Sequence, residues 1–181
     1  LSLEEGINGA WLLFIVSTQS VPVLGMLLVS RFEGWQEMFT FAMLGFYLLG
    51  CMFYILIISL IVYRFMFFKI EAEDMNPSYW INTGAVAITT LAGANILLRG
   101  HASFLAEFAP FIKGFTVFFW AAGTWWIPYL FILGAWRHFY KHYPLTYHPV
   151  YWGLVFPMGM YTVATFRLAE VLNMDFLLLI P

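Results

Sequence analysis

His138 and His142 stand four residues apart, a spacing that places two imidazoles on one helix face and is compatible with metal ligation or, inside a bilayer, with haem. His101 and His148 complete the four histidines of the chain. A transmembrane haem needs its ligands at mid-span, and none of the four falls there. His138 and His142 accompany Arg137 and Lys141 at the end of an apolar stretch, where cations complement a helix C-terminus and stand in water. They therefore read as solvated loop groups, with a haem- or quinone-binding membrane redox subunit as the alternative function. No cofactor and no metal are expected.

The carboxylates are confined in the same way. Glu4, Glu5, Glu33, Glu37, Glu71, Glu73, Asp74, Glu107, Glu170 and Asp175 all lie in connections or near span ends. Proton-coupled pumps usually keep an ionisable group within the membrane, and these spans offer none. Arg167 and Glu170, three apart, fit an interfacial ion pair. Cys51 stands alone, which excludes a disulfide framework and a CxxC motif. No nucleophile elbow, phosphate-cradling glycine loop or pair of catalytic carboxylates is present, so no enzyme chemistry is expected. Asn76-Pro77 has a structural explanation, with Asn as helix cap and Pro in the first turn.

The elements around these groups are apolar. Of 181 residues, 62% are hydrophobic, 21% aromatic and 10% charged, and the mean hydropathy is +0.82. This composition excludes an ordinary soluble domain and predicts a polytopic membrane protein. A hydrocarbon core of ~30 Å takes about 20 helical residues. Charge-free runs predict spans at about residues 10–30, 38–63, 78–98 and 114–136, and the run from Val150 to Phe166 predicts a fifth at about 150–170, with the start of a further helix at 176–181. Barrel strands would be half as long and would alternate, so the class is all-α, a transmembrane helical bundle in one domain over residues 1–181. Trp11, Trp35, Trp80, Trp136 and Trp152 stand near the span ends as interfacial anchors. A net charge of −2 with eight scattered basic residues argues against nucleic acid as a partner and leaves the lipid bilayer as the surroundings. Lys and Arg are balanced between alternate loops, so orientation is undetermined. The chain opens on Leu1 and closes on an apolar run, and reads as a piece of a longer protein.

The spans differ in kind. The first, third and fifth are rich in small and polar residues; the second and fourth are longer, bulkier and suited to lipid. Small residues permit close helix approach, so the order inner, outer, inner, outer, inner is expected, with a hairpin repeat of roughly 70 residues. Two inner spans carry a helix breaker. Pro157 lacks an N–H and frees the carbonyl of Gly153, while Pro22 frees that of Thr18. In lipid such groups need neighbouring helices or a wet cavity. Phe156, directly before Pro157, is the candidate gate of a conduit. Thr18, Gln19, Thr83, Thr90 and Met160 are candidate lining residues, since weakly binding polar groups suit conduction.

The run Trp152 to Arg167, with its Phe-Pro-x-Gly core and Thr-Val-Ala-Thr-x-Arg tail, resembles the ninth helix of the tellurite-resistance/C4-dicarboxylate transporter family, which includes plant slow-type guard-cell anion channels. Ser17-Thr18-Gln19-Ser20 with Pro22 resembles its fifth helix. The resemblance implies five helical hairpins around a central pore, odd helices inside and kinked, even helices outside. It places this chain at helices five to nine and Phe156 at the position of the phenylalanine that plugs the pore. It further implies transport of small inorganic or carboxylate anions (C4-dicarboxylate, sulfite, chloride, nitrate or tellurite-related), by channel or carrier, in a homotrimer in the cell's inner or plasma membrane.

Overall fold

A computed structural model describes residues 6–75, 77–147 and 149–180. Asn76, His148, Glu4 and Glu5, read above, lie outside the described residues. Five α-helices follow one another: α1 (Leu13–Leu28), α2 (Gln36–Phe67), α3 (Ile81–Arg99), α4 (Leu105–Ala135) and α5 (Trp152–Leu172). Among the described residues there is no strand, so the protein is an all-α polytopic bundle. Short 3-10 turns lead into α1 (Gly9–Leu12) and α3 (Pro77–Trp80), and a π-helical turn, Trp136–Tyr140, prolongs α4.

The helix ends follow local chemistry. Asn8 caps the turn before α1 by accepting from the Ala10 N–H at 2.9 Å. Gly34, at φ +79°, makes the turn between α1 and α2, where a side chain would be strained. Asn173 closes α5 in the left-handed conformation with φ 54°.

The segments Gly9–Arg31, Gln36–Phe67, Pro77–Arg99 and Leu105–Tyr140 are long and apolar enough to cross a membrane. Helix α5 has 21 residues, enough for ~30 Å at about 1.5 Å per residue. Its glycines, threonines, Arg167 and Glu170 dilute its apolar character, and it does not join those four.

Helix α3 is the centre of the bundle. Its span is 83% buried, against 33%, 28% and 17% for the α1, α2 and α4 spans, and all four other helices pack on it. In this chain α3 is the enclosed helix, and the four others each keep an open apolar face. The cause is residue size. From Asn82 to Ile96 the sequence is mostly Ala, Gly, Thr and Asn, all buried, and small residues let neighbouring backbones approach closely. Gly93 accommodates Thr116 of α4 and Tyr47 of α2, and Gly84 accommodates Pro157 of α5. From the other side, a side chain at Gly123 of α4 would meet Val86 Cγ2 at 2.8 Å.

Polar atoms inside the bundle tie the helices together. Tyr47 and Thr116 hydroxyls lie 3.3 Å apart between α2 and α4. The Trp120 indole N–H donates to Thr165 Oγ1 at 3.0 Å, and the Thr124 and Tyr161 hydroxyls pair at 2.6 Å, both between α4 and α5. In a medium without water such bonds contribute about 0.6–2 kcal/mol each.

Candidate functional site

The exposed positions of α5 form one stripe: Trp152, Val155, Phe156, Gly159, Val163, Phe166 and Glu170. Their spacing of three and four residues marks a single helix face. Phe156 lies on it, 53% exposed. Pro157 turns the other way and is buried against α3, where a side-chain carbon at Gly84 would stand 3.3 Å from its Cγ. One residue is thus clamped in the helix seam and its neighbour stands on the open face.

Pro157 is the sixth residue of α5. The carbonyl it frees, that of Gly153, consequently belongs to the first turn, so the break sits near one membrane face rather than at mid-span. Gly153 is half-buried, and a carbon added there would be 4.0 Å from the Pro77 carbonyl oxygen. Phe156, Pro157 and Gly153 therefore gather where α5 begins beside the start of α3. Pro22 is buried inside α1. Proline is not confined to α1 and α5, because α4 holds Pro110 and Pro128.

The five candidate lining residues do not share a face. Thr18 is half-buried and donates to the Phe14 carbonyl at 2.8 Å. Gln19, fully buried, points at α2 and donates from Nε2 to the Tyr47 carbonyl at 3.0 Å. Thr83 and Thr90 are fully buried on α3, with Thr90 donating to the Val86 carbonyl at 2.9 Å. Met160 is half-buried against the cluster of Ala87, Leu91, Tyr161 and Ala164. In this chain Gln19, Thr83 and Thr90 are buried among its helices. A polar residue in lipid serves a helix contact as readily as a cavity, and composition does not distinguish the two.

The histidines are dispersed. His101 and His142 are exposed, and the Nδ1 of half-buried His138 lies 2.9 Å from the Tyr143 carbonyl oxygen. His142 follows the helical end at Tyr140 and has φ 52°, so it shares no helix face with His138. Arg167 and Glu170 form the expected ion pair at 2.7 Å.

Two arginines at helix ends, Arg64 and Arg137, are buried. Arg64, at the end of α2, donates to the Tyr79 hydroxyl at 2.6 Å and pairs with Asp74 at 3.0 Å. Arg137, in the π-helical turn, is 7% exposed and donates from Nη1 to the Met75 carbonyl at 2.6 Å. Its position directly after Trp136, at the end of an apolar run, is the sequence signal that it had packing partners.

A polytopic helical bundle with a proline-flanked aromatic on an open helix face defines the class, a multi-helix membrane protein. The chain belongs to the SLAC1 family of voltage-dependent anion channels, whose family model matches residues 2–180. It is 39% identical over 115 residues to an uncharacterized membrane protein of Mycobacterium tuberculosis, covering 64% of this chain and 58% of that protein. Two uncharacterized transporters of Methanocaldococcus jannaschii are 24% identical over 172 residues and 25% over 162, covering 94% and 89% of this chain and 49% and 45% of those proteins. The chain spans about half the length of the curated relatives it matches. No solved structure matches it.

Proposed function

We propose that this chain forms part of a transmembrane conduit for small inorganic or carboxylate anions, closed by the Phe156 ring. The observation that carries the reading is the division of labour at the start of α5, where Pro157 is fixed against Gly84 while Phe156 keeps an open face. Rotation of the ring leaves the α3–α5 seam packed, so opening has a low structural cost. Thr18 and Met160, both half-buried, are the lining candidates that retain some access. The remaining length, by which the relatives exceed this chain, supplies the rest of the wall in this reading, and three copies assemble in the plasma membrane.

Family membership supports anions as the cargo. Hydroxyl and thioether groups do not themselves fix the sign of the ion. Flux through proteoliposomes carrying the full-length protein tests this directly, with chloride, nitrate, sulfite and malate compared against potassium. Anion flux above that of empty vesicles, with potassium excluded, is expected. Equal leakage of potassium, or no flux of any of the four anions, overturns the reading. A Soret band in the purified protein would favour the redox-subunit alternative.

A further inference from the structure

The start of α1, the α2–α3 connection and the α4–α5 connection meet at one end of the bundle around a cavity of about 430 Å³. Asn8, Glu73, Arg137, Tyr143, Thr146 and Tyr151 are among its lining residues. Arg137 is the feature that needs explanation. A buried guanidinium ordinarily requires a counter-charge, because desolvation of the ion is costly. Its Nη1 has only a neutral carbonyl, that of Met75. The Tyr143 ring covers it with the centroid 4.2 Å from Cζ, and its Nε is buried with no hydrogen-bond partner. Among the described residues the ion pairs are Arg64–Asp74, Lys69–Glu71 and Arg167–Glu170, and none involves Arg137. Arg64, at the same end of the bundle, shows the contrast, since Asp74 neutralises it.

The surroundings hold the charge in place. The π-helical turn closes through the Lys141 N–H to the Trp136 carbonyl at 2.9 Å, and the Tyr143 N–H returns to the Arg137 carbonyl at 3.1 Å. π-helical turns recur at functional sites. The guanidinium is thus fixed at the cavity wall, positive and without a carboxylate. Exposed Glu73 is the acidic lining group, and it lies beyond 4.0 Å from the guanidinium.

We infer that Arg137 binds a small anion in this cavity and presents it to the gate. The inference rests on the proposed conduit and deepens it. Tyr151 lines the cavity, and Phe156 follows five residues later, about 7.5 Å along the helix axis. The site therefore stands at the mouth, one to two turns from the ring that closes the path. Planar Arg suits nitrate and carboxylates, which accept two parallel hydrogen bonds, better than it suits spherical halides. A free anion and the phosphate of an anionic lipid share this chemistry. The polar side chains Asn8, Thr146 and Tyr143 around the cavity favour the free anion.

The test is chloride-35 line broadening by the full-length protein in phospholipid-free detergent, with nitrate as competitor, alongside conductance in bilayers. Wild-type protein is expected to broaden the chloride line, and nitrate to reverse it at lower concentration than added chloride. Arg137→Gln removes a charge-assisted bond, so the half-saturating nitrate concentration for conductance rises about tenfold while the maximal current stays similar. Arg137→Lys keeps the charge and falls between. If Arg137→Gln elutes as an aggregate, Tyr143→Leu, which uncovers the guanidinium and leaves its charge, provides the reading, with broadening retained and the nitrate preference weakened. Unchanged broadening and half-saturation in Arg137→Gln, or displacement of chloride only by anionic phospholipid, overturns the inference. Broadening without any anion flux retains the binding site and contradicts only the conduit.

Discussion

The ring of Pro157 rests on Gly84, so closely that a side-chain carbon added there would lie 3.3 Å from Pro157 Cγ. This contact fixes α5 against α3 at the point where α5 loses a backbone hydrogen bond. It couples the packing of the bundle to the residue proposed as its gate.

Gly84→Leu forces a branched side chain into that seam. Overpacking costs typically about 1–3 kcal/mol, so the melting temperature in detergent should fall clearly, and Gly84→Ala should fall by less. Leucine accommodated with no loss of stability would show that the seam is looser than this packing requires.

Pro157→Ala restores the N–H that can donate to the Gly153 carbonyl. A proline in a helix interior costs about 3 kcal/mol or more, part of which the seam packing offsets. Higher thermal stability together with lower anion current is expected, because the break beside the gate is repaired. Current that rises on this change argues against a role for the break in opening.

Gln19 separates a packing role from a lining role. Its Nε2 bond to the Tyr47 carbonyl ties α1 to α2, and Gln19→Leu should lower stability by about 1 kcal/mol without altering selectivity among anions. A change in relative anion permeability at unchanged stability would return Gln19 to the pore wall.

Most of the fold was legible in the sequence because the signal is large. Charge-free runs between short charged connections gave the all-α class, and the small residues from Asn82 to Asn95 lie on α3, the helix that the others approach; α4 begins at Leu105, earlier than its charge-free run, because Glu107 and Lys113 sit within its first turns. Direction was not legible. Gln19, Thr83 and Thr90 are polar in composition, but only the packing tells that they face helices. Arg137 read as a solvated cation, and the burial of Arg64 gave no sequence signal, because their partners come from Asp74, Tyr79, Met75 and Tyr143, which only the folded connections bring near.

Asp74→Asn tests the connection that closes this end of the bundle. Arg64 would keep its bond to Tyr79 and lose its counter-charge. Because the Asp74 side chain is 34% exposed, the loss is discounted from that of a fully buried pair to about 1–2 kcal/mol. Thermal unfolding in detergent measures it, and a stability equal to wild type would mean that Asp74 does not hold the connection.

The gate itself is the central claim, and single-channel recording of Phe156→Ala in the full-length protein addresses it. Removal of the ring should raise the open probability or unitary conductance for chloride and nitrate severalfold, with potassium still excluded. Anion current indistinguishable from wild type, in protein that folds normally, would contradict it.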